Sequence, residues 1–155
     1  MKYELPPKIK IYEALGSLWD NRIELVSDKE SKCYSSSRWK FYTINFDWEN
    51  KIYANDNWTY WKNYLWYPSI AHLLMIWKLD YDKKYEEALK DIKWKDINQD
   101  FKNDFDKTAE YIHWLLIERW YDLEEFLQEV DRVFAQIVSL DLELLLPKVK
   151  PPEGY

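Results

Sequence analysis

The residues of this chain that could do chemistry are few, and none of them stands in a catalytic motif. Cys33 is the single cysteine, and His72 and His113 are the only histidines. The two glycines, Gly16 and Gly154, lie outside any glycine-rich phosphate loop, and no serine–histidine–acid or cysteine–histidine signature is present. A lone cysteine forms no internal disulfide and holds no structural zinc by itself. The sequence therefore predicts an ordinary thiol, packed or hydrogen-bonded histidines, no cofactor, no metal ligands and no catalytic residues.

A group of carboxylates offers one alternative with metal chemistry. Asp100, Asp104 and Asp106 lie on a helix predicted to start after Asp96, and Asp100 and Asp104 share one face at the i, i+4 spacing. Hard cations prefer oxygen ligands, but the spacing is not that of a calcium loop, which also needs a glycine at its turn. A solvated acidic face is the favoured interpretation, and a metal-dependent enzyme that uses these carboxylates is kept as an alternative function.

A stronger concentration of binding chemistry lies between residues 32 and 67. This segment holds 13 aromatic residues, with five lysines and arginines against three acidic residues. Rings and basic side chains together suit single-stranded nucleic acid, because bases stack on exposed rings while basic groups follow the phosphates. Aromatic residues serve protein interfaces equally well. The candidate binding residues are Arg38, Trp39, Lys40, Trp48, Trp58, Tyr60, Trp61 and Lys62.

We expect a non-enzymatic binding or assembly protein that presents this aromatic surface, from the sheet and the loop 58–67, to a macromolecular partner. The alternative is single-stranded nucleic acid binding through the same tryptophans, which should weaken steeply with salt. The partner could also be a second copy in a homodimer, because a leucine-rich run near the C-terminus exceeds what one helix face buries. The leucines of this run are Leu142, Leu144, Leu145 and Leu146.

Four tryptophans occupy turn-like positions where glycine is common, namely Trp39, Trp48, Trp66 and Trp120. Glycine adopts a positive φ without steric cost, whereas tryptophan does so only with strain. We therefore expect type I turns, or a left-handed residue beside the tryptophan, with Asn21 and Asn50 as the natural candidates. Rings that merely cover sheet edges and helix ends are the alternative to a functional surface. In the helical half, the aromatic residues are expected mostly on core stripes.

The elements that position these residues follow from hydrophobic periodicity. Leu15, Leu18 and Trp19 at helical spacing predict a short helix over 11–19. Polar–apolar alternation and β-branched or aromatic residues then predict an antiparallel meander of about four strands. The predicted strands cover residues 22–27, 32–36, 40–47 and 51–54.

The second half of the chain predicts about four helices packed against this sheet. They cover residues 69–77 after Pro68, residues 83–92, a segment from Asp96, and a segment from Asp122 that ends by Pro147. The prediction is a single α+β domain over residues 1–147, with a Pro-rich, poorly ordered tail over 148–155. Residues 1–80 carry a net charge of +1 and residues 81–155 carry −7, so an anionic ligand is expected on the sheet half.

Composition sets the class of protein. No stretch approaches the roughly 20 apolar residues that cross a bilayer, and the N-terminus lacks the apolar core of a secretory signal. We therefore expect a cytoplasmic protein that does not contact membranes. Ten tryptophans and thirteen tyrosines stand against two glycines, and glutamine is scarce. Hyperthermophile proteins lean in the same direction, with fewer thermolabile amides and more ionisable side chains, so the composition predicts a thermophilic origin.

One stretch resembles a known small domain. The run YTINFD over 42–47, a turn, a short strand, a loop and the run YPSIAHLL over 67–74 resemble the layout of a SWIM zinc finger. That family places Cys-x-Cys after two strands and Cys-x-His at a helix start. Residues 53–56 are Tyr-Ala-Asn-Asp, and Ser69 and Ala71 stand where the second pair would be, so the resemblance implies a zinc-free ββα unit. More broadly, residues 13–16, 55–57 and 60–68 are similar to small uncharacterised proteins of thermophilic archaea.

Overall fold

In a computed structural model, which describes residues 1–153, the chain forms a small sheet and a set of helices that pack with it. The strands are β1 (Ile23–Ser27), β2 (Glu30–Tyr34), β3 (Phe41–Phe46), β4 (Lys51–Ala54) and β5 (Glu143–Leu144). The helices are α1 (Ile9–Trp19), α2 (Asn57–Lys62), α3 (Tyr67–Met75), α4 (Lys84–Ala88), α5 (Trp94–Asp100), α6 (Phe105–Glu118) and α7 (Leu123–Leu140). An N-terminal helix, a sheet and then a helical half confirm the predicted α+β fold.

The sheet runs in the order β1-β2-β3-β4-β5, and β1 to β4 form the predicted antiparallel meander. Cys33 on β2 lies opposite Tyr42 on β3. Tyr42, Ile44 and Phe46 are buried while the residues between them are less buried or exposed, as expected when one face of a strand covers the core. β5 pairs in parallel with β4 and was not predicted, because two residues are too short to show a period.

The core lies between the sheet and the helices. α3 contacts α1 on one side and all four meander strands on the other. Pro68 lies in the first turn of α3, where its missing N–H costs no hydrogen bond. α7 begins after Asp122, whose carboxylate accepts from the Glu125 backbone N–H at 3.1 Å, as the sequence predicts. None of the helices among the described residues has both the length and the apolar character that crossing a membrane requires.

The prediction of a single helix from Asp96 is wrong, because this part of the chain forms two helices. α5 ends at Asp100, and Lys102 and Asn103 take left-handed φ values of 53° and 60°. Asp104 then caps α6 by accepting from the Lys107 backbone N–H at 3.3 Å. Asp100 and Asp104 therefore do not share one helix face. Within residues 1–153, no group of three or more His, Cys, Asp and Glu residues is placed to hold a metal ion.

The prediction for the turns is correct at one asparagine and wrong at the other. Asn21 has a φ of 53°, directly after α1. In the β3–β4 turn, however, Trp48 itself has a φ of 69°, and Trp120 has a φ of 67° after α6. At Trp48 the carboxylate of Asp47 accepts the backbone N–H groups of Glu49 and Lys51, each at 2.9 Å, and these bonds set the turn around the tryptophan.

The leucine-rich run lies largely inside the domain. Leu142 and Leu144 are buried, because β5 extends the sheet and turns both side chains toward the core. Leu145 is half-buried and Leu146 is exposed. The sequence-based argument for self-association through these leucines is therefore removed.

Candidate binding groove

Two adjoining depressions at one end of the sheet bring half of the predicted binding residues together. The first, which we call the aromatic cleft, encloses about 310 Å³. The second, which we call the outer groove, encloses about 480 Å³. Lys40 and Asn57 line both of them, so the two are continuous. Trp58 lines the cleft, and Tyr60 and Trp61 line the groove.

The short helix α2 positions these rings, although the sequence predicted a loop here. Asp56 caps the helix, and its carboxylate accepts from the Thr59 backbone N–H at 2.9 Å and from the Thr59 hydroxyl at 2.8 Å. The helix ends at Asn63, which takes a left-handed φ of 60°. Asp56 at the N-cap and Asn63 at the C-cap are helix-capping signals that could have predicted α2. The six aromatic residues among positions 58–67 obscured this signal, because they show no clean helical period.

The rings of this region pack in pairs. Trp58 stacks on Trp66 with ring centroids 4.6 Å apart and planes at 16°. Tyr60 meets Trp61 edge to face at 4.7 Å. Trp66 is buried, Trp58 is half-buried, and Trp61 is 69% exposed. The Trp58 and Trp66 rings are therefore packed in the cleft, whereas the Trp61 ring is exposed at the groove.

The carboxyl group of Asp56, which caps α2, is a weaker acid than an ordinary aspartate. It is buried, and burial raises the pKa of its carboxyl group to about 6, against the opposing effect of the hydrogen bonds from Thr59. A carboxylate in a low-dielectric site loses its hydration, which disfavours the charged form. The cap of α2 therefore changes charge near neutral pH.

Glu13, which lines the cleft, belongs to a buried ion pair that joins several elements. Lys10 and Glu13 on α1 are both almost fully buried, and their Nζ and Oε1 atoms are 2.6 Å apart. The ammonium group also lies 4.6 Å from the centre of the Trp66 ring and 4.8 Å from that of Phe105. Asn98 on α5 donates its Nδ2 to the same Glu13 oxygen at 2.9 Å. The Asn98 Oδ1 atom is buried and has no hydrogen-bond partner among residues 1–153, so the cleft retains one acceptor for a ligand or water.

The extended segment 148–153 forms the opposite side of the outer groove. The Tyr53 hydroxyl donates to the Val149 carbonyl at 2.9 Å, and Asn55 Nδ2 donates to the Lys150 carbonyl at 3.3 Å. Lys148 Nζ donates to the Tyr60 carbonyl at 2.9 Å. Pro151 and Pro152 then line the groove together with the rings of α2. The last two residues of the predicted tail, 154 and 155, lie outside the described residues.

The other predicted residues do not join this site. Trp48 lies in the turn at the far end of β3, where it meets Phe46 edge to face at 5.7 Å. Arg38 is engaged by the Asp20 carbonyl, to which its Nη2 donates at 2.6 Å. Trp39 is 85% exposed in the turn before β3. Lys62 is exposed at the end of α2 and lines neither depression. The sequence could not separate Trp48 from the others, because its place at the far end of the sheet follows from the pairing of β3 with β4.

A serine–histidine contact exists in the core, away from both depressions. The Ser31 hydroxyl donates to His72 Nδ1 at 2.7 Å, and His72 Nε2 donates to the Asp28 carbonyl at 2.9 Å, since a carbonyl can only accept. Both side chains are fully buried, and burial lowers the pKa of His72. Burial likewise raises the pKa of Cys33 to about 12. These groups pack and pair within the core, as the sequence predicts for the histidine and the thiol.

Comparisons with known proteins identify one match. The family model described as Uncharacterised conserved protein UCP014422 matches residues 3–143, which is most of the chain. No curated protein and no solved structure matches.

Proposed function

The chain belongs to the family Uncharacterised conserved protein UCP014422, and we propose that it is a non-enzymatic binding protein whose outer groove takes an extended polypeptide segment of a partner protein. The observation that carries this proposal is the segment 148–153. It forms no helix or strand, its Lys150-Pro151-Pro152 sequence favours an extended backbone, and side chains of β4 and the following residue hold its carbonyl groups beside Tyr60 and Trp61. The surface therefore already holds one chain segment through its carbonyl groups, and the exposed Trp61 ring beside that segment is available to a second one.

The chemistry of the groove favours a segment that contains proline. Proline fixes φ near that of an extended chain, so little conformational entropy is lost on binding, and its ring packs well on tryptophan and tyrosine. Trp61 offers such a ring to solvent. Charges in the groove are mixed, with Lys40 and Lys150 against Glu153, which suits a peptide better than a polyanion.

A peptide array tests this proposal. Hexapeptides with a central Pro-Pro and otherwise varied residues would be compared with an Ala-Ala set. We expect a subset of the Pro-Pro peptides to bind the wild-type protein, and W61A and Y60A to weaken that binding at least tenfold. W48A is the matched control, because Trp48 is a partly exposed tryptophan at the far end of the sheet. Equal binding by W61A and the wild type, or no Pro-Pro preference, would contradict the proposal.

Single-stranded nucleic acid is the second candidate, and Lys40 and Lys150 beside the exposed Trp61 ring favour it. Stacking of bases on Trp61 would quench its fluorescence, and the affinity would fall steeply between 50 and 200 mM salt. Titration with a mixed-sequence 12-mer oligonucleotide at two salt concentrations separates this candidate from peptide binding. No salt-sensitive quenching would remove it.

Three further proposals rest on the sequence. A thermophilic, archaeal source is supported by the aromatic-rich, glycine-poor composition, and a melting temperature above about 80 °C for the purified protein would agree with it. Cytoplasmic residence is supported by the single cysteine, because disulfide-poor chains are typical of reducing compartments. A zinc-free unit similar to a SWIM finger is supported by β3 and β4 followed, after α2, by α3, with Ser69 and Ala71 at the places of ligands.

A further inference from the structure

The outer face of α6 carries exposed aromatic and aliphatic side chains between its charged residues, although the sequence pattern predicted that the aromatic residues of the helical half would mostly serve the core. Thr108, Ile112 and Leu116 form the inner face and are fully buried. On the other side Trp114 is 56% exposed and Ile117 is 56% exposed, and Tyr111 is also exposed. Exposed rings at helical spacing add no buried area to the core of the monomer, so we expect this face to have another role.

Two charges continue this face at its ends. Lys107, Tyr111, Trp114 and Glu118 follow one another at spacings of four, three and four residues, so they form one line along α6. We call this line the α6 stripe. Its two rings touch, with centroids 6.1 Å apart. The side chains of Lys107 and Glu118 are exposed, and neither forms an ion pair within residues 1–153.

We propose that the α6 stripe is a homodimer interface in which two α6 helices pack antiparallel about a two-fold axis. The axis would pass between Tyr111 and Trp114. Tyr111 would then lie against Trp114 of the partner subunit, and Lys107 would lie against Glu118 of the partner subunit. Two-fold symmetry repeats both contacts, because an isologous interface uses the same patch twice. The stripe is thus complementary to itself.

The antiparallel arrangement follows from the charges. In a parallel pair, Lys107 would face Lys107 of the partner subunit and Glu118 would face Glu118 of the partner subunit, and like charges at close range repel. Reversing one helix replaces both repulsions with attractions. A different protein partner is not required to neutralise either end, which favours a second copy as the occupant.

The area of the apolar face is sufficient for a modest dimer. Tyr111, Trp114, Ile117 and Trp120, which follows the end of α6 and is 95% exposed, together present on the order of 500 Å² of apolar surface per copy. Two copies would bury on the order of 1,000 Å², near the lower limit for a specific interface. We therefore expect a dissociation constant in the micromolar range rather than an obligate dimer.

Charge reversal tests the arrangement directly. Sedimentation velocity over 1–500 μM protein would measure the dissociation constant of the wild type, K107E, E118K and the double variant K107E/E118K. Each single variant places like charges opposite each other at both ends, so we expect it to weaken dimerisation about tenfold or more. The double variant restores opposite charges, so we expect its dissociation constant to return to within about threefold of the wild-type value.

Controls separate this interface from other surfaces. K62E reverses a charge on the exposed end of α2 and should leave dimerisation unchanged, whereas W114R should abolish it while circular dichroism reports an unaltered fold. A wild-type protein that is monomeric at 500 μM overturns the proposal. So does a double variant that is no stronger than the single variants, or dimerisation that survives W114R. Peptide binding at the outer groove is independent of all these outcomes.

Discussion

Tryptophan occupies backbone positions that glycine usually fills. Trp77 and Trp120 follow α3 and α6 with φ values of 61° and 67°. In both cases the next residue closes the helix end, with Lys78 N–H donating to the Leu73 carbonyl at 2.9 Å and Tyr121 N–H donating to the Leu116 carbonyl at 3.1 Å. A side chain in this conformation costs about 1 kcal/mol through contact of its Cβ with the backbone. The strain is tolerated where other contacts offset it.

Replacing Trp120 with glycine should therefore stabilise the monomer. Trp120 is 95% exposed, so W120G removes backbone strain and few side-chain contacts, and we expect a gain of about 1 kcal/mol in the free energy of unfolding. Trp77 stacks on Tyr81 at 4.8 Å, so W77G loses that contact and should be neutral or destabilising. Chemical denaturation at protein concentrations that keep the chain monomeric would measure both. A loss of stability in W120G would contradict the strain argument.

The buried acid of α2 should make stability depend on pH. The pKa of Asp56 is about 6 in the folded protein against an ordinary value of 3.8, so the folded state favours the protonated acid. This contribution to stability is complete below pH 3.8 and is lost as the pH rises through 6, a loss of at most about 3 kcal/mol.

Asp56→Asn tests this effect, because asparagine also caps a helix but does not ionise. We expect the stability of D56N relative to the wild type to rise by about 2–3 kcal/mol between pH 4 and pH 7.5. Urea unfolding of both proteins across this range gives the difference directly. A relative stability that does not change with pH would show that Asp56 titrates as an ordinary, solvated acid.

α1 approaches the end of α4 closely at Gly16. Gly16 lies inside α1, and a Cβ built on it would be 2.8 Å from the Leu89 carbonyl oxygen and 3.3 Å from Trp94 Nε1. The glycine thus allows the two backbones to approach, and its low helix propensity is offset by the packing of the neighbouring helices. The buried length of α1 makes this contact central to the helical half.

The variant G16A should consequently reverse the usual effect of alanine in a helix. Alanine normally stabilises a helix interior by about 1 kcal/mol relative to glycine. Here the methyl group meets a backbone carbonyl, which cannot rotate away, so we expect a loss of about 1–3 kcal/mol. Thermal and urea unfolding would measure it, and a stabilised G16A would mean that α4 moves at little cost.

Some elements could be predicted because their signals are local. The alternation in β3 and the apolar stripe of α7 each repeat over enough residues to be recognised, and Asp122 marks where α7 begins. The break between α5 and α6 was missed although Asn103 and Asp104 are a turn and N-cap signal, because Ile97, Phe101 and Phe105 recur every fourth residue as in one continuous helix. α2 was missed because its rings face the cleft, the groove and their neighbours rather than a single core.

At the scale of the whole molecule, the Lys10–Glu13 pair joins the helical half to the aromatic cleft. It contacts Trp66 before α3, Asn98 on α5 and Phe105 on α6. A buried pair contributes little net stability, but the loss of one partner leaves an uncompensated charge in a low-dielectric site.

Removing the lysine alone should therefore be costly. We expect K10M to reduce the free energy of unfolding by about 3–5 kcal/mol, because Glu13 loses its cation and Trp66 loses its contact with the ammonium group. The double variant K10M/E13Q removes both charges and keeps an acceptor for Asn98, so it should recover at least half of the loss. Denaturant unfolding would compare the two variants, and equal losses would show that the charge itself is unimportant.

The sequence by itself determined the meander, α1, α3 and α7, and the concentration of aromatic residues between positions 32 and 67. Those features follow from periodicity and composition, which act between neighbouring residues. Only the tertiary structure decided which rings share a surface, that Trp48 lies apart from Trp58 and Trp61, and that Tyr111, Trp114 and Ile117 are exposed on the outer face of α6. The physical reason is that these arrangements depend on contacts across long stretches of chain, such as Lys148 with the Tyr60 carbonyl, 88 residues apart. No local pattern specifies such a pairing, because its stability comes from the packing of the whole domain.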